Sequence, residues 1–422
     1  MKIDIPKEPA IILHLLNNHG FDAYVVGGCV RDALLKRKPQ DWDICTNARP
    51  EEIIHIFTSY SLKVLKTGIK HGTVTVLFHG KHFEITTYRI DGNYLDNRRP
   101  DKVIFTDYIK EDLSRRDFTI NAMAYHPKKG LVDNFNGQSD LKKKIIKCVG
   151  EPKKRFEEDA LRILRGIRFT AQLDFHLEET TKNAMYLKRK LIQNISKERI
   201  RDEIVKILLA HKPSNGILLL SDLHLLEFII PEFKNIPKDL FNRILFLLDN
   251  TPKILEIRLS AFLFYINLFL NNPLTVNNIL KNLKFDNKTI NNVCLLIYES
   301  LYTPDFSSIK DIKKFMIRIG IKNLENFWAL KIALIKESQA HSDFSNILNV
   351  KNTVEKILKE KHPLELKDLQ ITGNDLISLG IPQGKQVGIL LEQLLDKVLE
   401  NPNLNEKDQL LKIAKNYKPS IS

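Results

Sequence analysis

The chain has 422 residues, with 65 Lys+Arg against 51 Asp+Glu and a formal charge of +14, so it is too long for one compact core and suits either a polyanionic partner or a plain basic surface. Its 43% hydrophobic and 27% charged residues, with 17 Gly and 17 Pro, exclude a collagenous or largely disordered chain. The four cysteines, Cys29, Cys45, Cys148 and Cys294, form no CxxC pair that could hold zinc and no disulfide scaffold.

The opening segment MKIDIPKEPAIILHLLNN carries Asp4 and Glu8 and lacks a small-residue cleavage site after an apolar stretch, so a cytoplasmic location is expected. The most apolar window, Leu259 to Leu270, falls well short of the roughly 20 residues of a membrane span and contains Asn267, so no membrane partner is expected. From Ala23 to Asp133 the β-rich runs AYVV, TVTVLF and HFEITTY alternate with loops and two helical stretches, whereas from Arg155 onward the periodicity is helical. This pattern predicts an α+β chain. Gly150-Glu151-Pro152 reads as one joint and Pro213-Ser214-Asn215-Gly216 as a second. Beyond the second lie apolar helices such as NRILFLLD and RLSAFLFYINLFL, and Gly373, Gly380, Pro382 and Gly384 punctuate two later amphipathic stretches.

The chemistry concentrates in AYVVGGCVRDALLKRKPQDWDICT. Ala23 to Val26 reads as a buried strand, Gly27-Gly28 as a turn, Val30 to Lys36 as a helix and Trp42 to Cys45 as a second strand. Two glycines between strand and helix let bare N–H groups approach an anion at the positive helix end, although alone they also fit an ordinary turn. Asp41 and Asp43, two apart on a strand, share one face while Trp42 takes the other. Such a pair can hold Mg2+ for phosphoryl transfer, or stand as a solvated strand end. In HFEITTYR, Glu84 lies on the face opposite Phe83 and Ile85 and is a third candidate carboxylate.

A helix is predicted over RFEEDALRILRGIRF, in which Asp159, Arg162, Arg165 and Arg168 recur every three residues as a slanted row beside an apolar ridge of Leu161, Leu164 and Ile167. A carboxylate accepting from an exocyclic amino group and a guanidinium donating to a ring acceptor match the Watson–Crick edge of C or A, whereas U or G would present a carbonyl to Asp159. The same pair also fits a plain helix-surface ion pair.

Together these residues resemble the class II tRNA nucleotidyltransferases, the CCA-adding enzymes, which share a family with bacterial poly(A) polymerases. The resemblance rests on GGCVRDALLKRKPQDWD, on Arg89-Ile90-Asp91-Gly92, on DLSRRDFTINAMAY from Asp112, on Glu158-Asp159-Ala160-Leu161-Arg162 and on SKERIRDEIVKIL from Ser196, with ITGNDLISLGIPQGKQVGILL resembling the family's C-terminal unit. It implies a nucleotidyltransferase head with a mixed β-sheet over residues 1–150. A helical neck with the nucleotide-selecting helix would follow over 151–215, a helical body over 216–340 and a tRNA-binding helical tail over 341–422. It assigns the magnesium ligands to Asp41 and Asp43, the triphosphate contacts to Gly27, Gly28 and Arg31, a nucleotide-binding arginine to Arg116, the C/A template to Asp159 with Arg162, and further nucleotide contacts to Arg165 and Arg168. Glu84 would be an accessory carboxylate. Lys36 departs from the pattern, standing where the family usually has glycine.

The implied activity adds C, C and A to the tRNA 3′ end from CTP and ATP, with Mg2+, the tRNA acceptor arm as partner and no protein partner expected. A poly(A) polymerase is the rival within the family, although no basic and apolar run like its signature follows Arg162; an A-only enzyme is another. The complete-looking GNYLDNRRPDKVIF disfavours a CC-only enzyme. Outside the family stand a DxD glycosyltransferase, which would leave Asp159 and Arg162 unexplained, and a non-catalytic RNA-binding protein. No HD dipeptide occurs among the twelve histidines, so an appended hydrolase is not expected. The segment Gly92 to Arg99 is the expected mobile element in switching from C to A.

Overall fold

The computed structural model describes residues 2–92, 101–301, 306, 308–339 and 341–416, so the switching segment expected over 92–99 lies, after Gly92, outside the described residues. Two compact units form, one from residues 1–236 with 282–284 and the other from residues 237–281 with 285–422.

The first unit begins with α1 (Lys7–Asn18), β1 (Ala23–Val26), α2 (Gly28–Leu34), β2 (Ile44–Thr46) and α3 (Pro50–Ser59). Next come β3 (Lys63–Gly68), β4 (Thr73–Phe78), β5 (Lys81–Thr87), the antiparallel pair β6 (Arg89–Asp91) and β7 (Val103–Phe105), α4 (Ile109–Ser114), β8 (Ala124–His126), β9 (Gly130–Val132) and α5 (Gly137–Lys143). Seven of these strands make a mixed sheet in the order β3-β4-β5-β2-β1-β8-β9, in which only β2 and β5 run parallel. β1 is buried at all four positions, as its unbroken AYVV run requires of a central strand. Alternation sends Tyr24, Val26 and Cys45 into a core with Tyr88, Leu113, Ala122, Ala124 and Val149. Val25, Ile44 and Ile85 take the opposite face, against which α1 and α3 pack.

The helical part of this unit contains β10 (Ile145–Ile146), α6 (Pro152–Glu158), α7 (Leu161–Leu173), β11 (His176–Leu177), α8 (Glu179–Lys188), α9 (Lys197–Leu208), α10 (Pro213–Asp222) and α11 (Leu226–Ile229). β10 and β11 pair in parallel, a two-residue strand contact whose second strand falls inside the region read as helical from Arg155 onward. α7 buries Ile163, Leu164 and Ile167, a stripe worth about 1.5–3 kcal/mol per side chain. At Gly166 a Cβ would stand 2.4 Å from Met185 Cε and 2.8 Å from Phe118 Cζ, so the bare backbone is what lets the helix lie this close to the sheet unit. Pro213 to Gly216, read as a joint, is instead the first turn of α10. Pro213 fits the first helical turn, and a Cβ on Gly216 would meet Ile207 Cγ2 at 2.6 Å, so this glycine serves close helix packing.

The second unit is helical: α12 (Lys238–Asp249), α13 (Leu255–Leu270), α14 (Thr275–Asn282), α15 (Asn287–Leu301), α16 (Ile309–Ile319), α17 (Leu324–Ser338), α18 (His341–Lys359), α19 (Gly373–Ser378), α20 (Lys385–Glu400) and α21 (Lys407–Lys415). α13, the apolar window of the sequence, is buried from Ile257 to Ile266. Phe315, Phe327 and Trp328 pack ring to ring with centroids 4.8–5.9 Å apart. Leu376, Leu390, Leu394, Val398 and Leu410 form a separate small core near the C-terminal end. Among the described residues no helix is long and apolar enough to cross a membrane.

Candidate active site

An open cleft of about 590 Å3 in the first unit gathers Gly27, Gly28, Arg31, Asp41, Asp43, Arg116, Asp159, Arg162, Arg165 and Arg168. Of the residues singled out in the sequence, Glu84 alone is not part of its lining.

Gly27 ends β1 with φ +82° and caps α2, a left-handed geometry that a side chain would strain, and its missing Cβ would lie 3.1 Å from Arg116 Nη1. Helix α2 therefore begins at Gly28, two residues before the expected start. The Gly27 N–H donates to the Met123 carbonyl at 3.0 Å, so an anion held here meets the first-turn amides of α2. Arg31, one turn on, donates to Asn121 Oδ1 at 2.7 Å and to both oxygens of Asp32. At the other end of α2, Lys36 has φ +57°, the left-handed conformation that explains why glycine is the expected residue there.

Asp41 and Asp43 precede β2 rather than lying within it. The Val26 N–H still donates to the Asp43 carbonyl at 3.0 Å, which extends the pairing and fixes the side chain's face. Since Ile44 pairs with Ile85 in parallel register, Asp43 and Glu84 stand side by side. Asp43 reaches the solvent of the cleft, yet the protein packed round it, then the nearby Glu84 charge and that of Asp41, push its carboxyl up to about 6 against the pull of Arg116. Three acids with too little countercharge make a place that a divalent cation would stabilise. Among the described residues no three His, Cys, Asp or Glu converge as ligands of one ion, so Asp41 and Asp43 suit a hard cation whose remaining ligands are phosphate oxygens and water.

The opposite wall is cationic and closely paired. Asp112, fully buried in α4, binds Arg115 at 2.7 Å and Arg116 at 3.1 Å; burial alone would raise its pKa, but the two guanidinium groups outweigh it and hold it low. Arg116 and Arg168 both line the cleft, and each also keeps a buried Nε with no hydrogen-bond partner, so their charge is not fully spent on protein contacts. Asp117 binds Arg165 at 2.7 Å and accepts from the Phe118 N–H and Asn121 Nδ2. Burial would raise its pKa, and Arg165 reverses that to about 2. Arg168 pairs with Glu203 of α9 at 2.9 Å. The Phe169 ring lies under three guanidinium groups, those of Arg168, Arg31 and Arg165, at 4.4, 5.2 and 5.6 Å.

The helix expected to run unbroken through RFEEDALRILRGIRF breaks at Asp159, which is extended (φ −140°, ψ 104°) between α6 and α7. The Asp159 Oδ1 accepts from the Leu161 N–H at 3.0 Å, a local bond that competes with helix continuation. Asp159 is therefore not part of the slanted row, which holds only for Arg162, Arg165 and Arg168. Neither do Asp159 and Arg162 form a helix-surface ion pair. Arg162 donates to Glu158 at 2.7 Å and to the Arg115 carbonyl at 3.0 Å, while Asp159 is bound by Arg199 of α9 at 3.1 Å. Both still line the cleft, an acceptor and a donor together.

The lining also includes Arg115, Asp117, Asn121, Phe169, Gln172 and Arg199, none assigned a role from the sequence. Four of them lie in segments that carried the resemblance: Arg115, Asp117 and Asn121 in DLSRRDFTINAMAY and Arg199 in SKERIRDEIVKIL. The motifs were the available signal for these, while Phe169 closes the helix segment as an ordinary apolar residue.

The chain matches three protein families: the Poly A polymerase head domain over residues 23–147, the probable RNA and SrmB-binding site of polymerase A over 174–236 and the tRNA nucleotidyltransferase domain 2 over 258–414. It is 36% identical over 402 residues to a CCA-adding enzyme of Oceanobacillus iheyensis, covering 94% of each chain. To that of Lactobacillus delbrueckii subsp. bulgaricus it is 52% identical over 198 residues, 47% of this chain and 49% of the relative. The crystal structure of the Bacillus stearothermophilus CCA-adding enzyme in complex with CTP superposes with a TM-score of 0.78 at 27% identity, over 96% of this chain and 97% of that one. With a mixed-sheet head, helical remainder and a cleft of paired aspartates and arginines, the chain is a nucleotidyltransferase and belongs to the family of CCA-adding enzymes.

Proposed function

We propose that this chain is a template-independent RNA polymerase that completes the tRNA 3′ end with C, C and A from CTP and ATP. One observation carries the reading: the acceptor and donor of Asp159 and Arg162 open into the same cleft as Asp41 and Asp43, so base choice and phosphoryl chemistry meet in one space. In the reaction the RNA 3′ oxygen bonds to the α-phosphorus, the bond to the β-phosphate breaks, and pyrophosphate leaves while the hydroxyl proton passes to solvent.

Asp41 and Asp43 would hold Mg2+, with Glu84 beside Asp43 adding negative charge rather than a direct contact. Magnesium bound there would lower the cost of ionising the 3′ hydroxyl and of releasing pyrophosphate. The first-turn amides of α2 from Gly28 on, approached closely past the bare Gly27, orient the triphosphate with Arg31 and Arg116, and Arg165 and Arg168 extend the cationic wall. Asp159 accepts from the amino group of C or A and Arg162 donates to the ring acceptor; U or G would set a carbonyl against the carboxylate, and such an unpaired contact is strongly discriminating. The Asp and Arg are protein groups, so no nucleic-acid template is needed.

The reading carries with it a four-part division, proposed over the two compact units, with 1–150 as catalytic head, 151–215 as neck, 216–340 as body and 341–422 as the tail that would grip tRNA through phosphates and shape. A cytoplasmic site of action is in keeping with four unpaired cysteines. The test is gel-resolved extension of three tRNA transcripts, ending before CCA, after C and after CC, with single nucleotides and with CTP plus ATP. All three are expected to stop at CCA. Extension of the CC-ended transcript alone would make the chain an A-adding enzyme, and long tails from ATP alone a poly(A) polymerase.

A further inference from the structure

We infer that Arg199 is a positioning residue for base selection, acting through Asp159; this rests on the reading of Asp159 and Arg162 as the base-reading pair. Asp159 is extended between two helices; its backbone is held by bonds from its N–H to the Arg155 carbonyl at 3.3 Å and from the Arg162 N–H to its own carbonyl at 3.0 Å, but neither sets the rotation of its side chain. Two contacts set that rotation. The Leu161 N–H occupies Oδ1 at 3.0 Å, and Arg199 Nη2 lies across both oxygens, 3.3 Å from Oδ1 and 3.1 Å from Oδ2. The carboxylate is thereby fixed in rotation, with Oδ2 keeping room for one more donor, and an ionised carboxylate can only accept. That is the condition under which an amino group is rewarded and a carbonyl refused.

The comparison one turn along α9 shows why this is more than helix packing. Glu203, four residues after Arg199, pairs with Arg168 at side-chain exposures of 4% and 9%, a closed contact. Arg199 and Asp159 remain 24% and 19% exposed and both line the cleft, so their pair stays reachable by a base. Arg162 has separate support from Glu158 and the Arg115 carbonyl. The donor and the acceptor of the reading pair are thus held from different sides, and Arg199 governs only the acceptor.

The experiment measures kcat/KM for CTP and for UTP on the full chain with a tRNA transcript ending before CCA. Arg199→Gln is expected to lower the CTP-to-UTP preference by about tenfold, the scale of one oriented polar contact, chiefly through a higher KM for CTP. Arg199→Lys, which keeps the charge but not the span across both oxygens, should recover part of the preference. Added to Asp159→Ala, Arg199→Gln should cause no further fall. Equal loss for CTP and UTP would overturn the inference in favour of a structural role, and so would a lower KM for CTP, which would mean that Arg199 competes with the base. Should Arg199→Gln fail to fold, Arg199→Lys carries the same comparison. If Asp159→Ala alone leaves the preference intact, the base-reading assignment itself fails; if it abolishes the preference while both Arg199 variants retain it, only the role of Arg199 fails.

Discussion

Asp43 and Asp117 line the same cleft, yet their surroundings drive the two carboxyls apart, to about 6 at the sheet end and about 2 at the helix end. At the sheet end, acids face acids: Glu84 and Asp41 add to the burden on Asp43, and Arg116 offsets only part of it. At the helix end every acid has a cation in contact, Asp117 with Arg165, Asp112 with Arg115 and Arg116, and Glu203 with Arg168. The difference separates groups that await a ligand from groups that hold others in place, since an uncompensated charge is costly until something arrives to neutralise it.

The sharpest way to break this contrast is Asp43→Ala. It should lower nucleotide addition by about a thousandfold, the scale of losing several kcal/mol of charge stabilisation, while tRNA binding measured by filter retention is kept. RNA binding with no activity to lose, even in the unaltered chain, would instead support a non-catalytic binder. Asp117→Asn should act on the fold. A depressed carboxyl contributes stability that is full above its unfolded value near 4 and is lost as pH falls toward 2, so this variant should be at least about 2 kcal/mol less stable at neutral pH, with the gap closing below pH 4. Asp43 has the opposite sign. Its raised carboxyl costs stability progressively as pH rises from about 4 to about 6 and in full above that, so metal-free Asp43→Asn should be more stable than the parent at pH 8 and no more stable at pH 4, as urea unfolding at both pH values would show.

Phe169→Leu tests whether the shared ring organises the cationic wall. Losing a face that three guanidinium groups cover should cost about 1–2 kcal/mol of stability and raise the KM for ATP and CTP together, with their ratio unchanged. The smallest effect belongs to Lys36→Gly, which relieves a left-handed side-chain position outside the cleft lining and should raise stability by less than about 1 kcal/mol without altering kinetics.

Much of the sheet end was legible in the sequence because its signals are local. An apolar run, two glycines and alternating aspartates fix strand, turn and shared face within a few residues, and the structure moves the boundaries by no more than two residues. The helix end was less legible. In EEDALR every residue but Asp159 is a strong helix former, and nothing in the spacing shows that the Asp159 side chain takes the Leu161 N–H and breaks the run. The partners of Asp159, Arg165 and Arg31 are 40, 48 and 90 positions away, so those pairings exist only once α7, α9 and the sheet have met. Gly216 misled for a related reason, because a glycine demanded by packing looks the same in sequence as one that loosens a joint.

The most direct test of the two kinds of carboxylate is Mn2+ binding in the presence of CTP, followed by electron paramagnetic resonance, for the unaltered chain, Asp43→Asn and Asp117→Asn. The account predicts that Asp43→Asn loses the bound ion while folded Asp117→Asn retains it. Retention in Asp43→Asn together with loss in Asp117→Asn would contradict it, placing the ion among the acids that the arginines already satisfy.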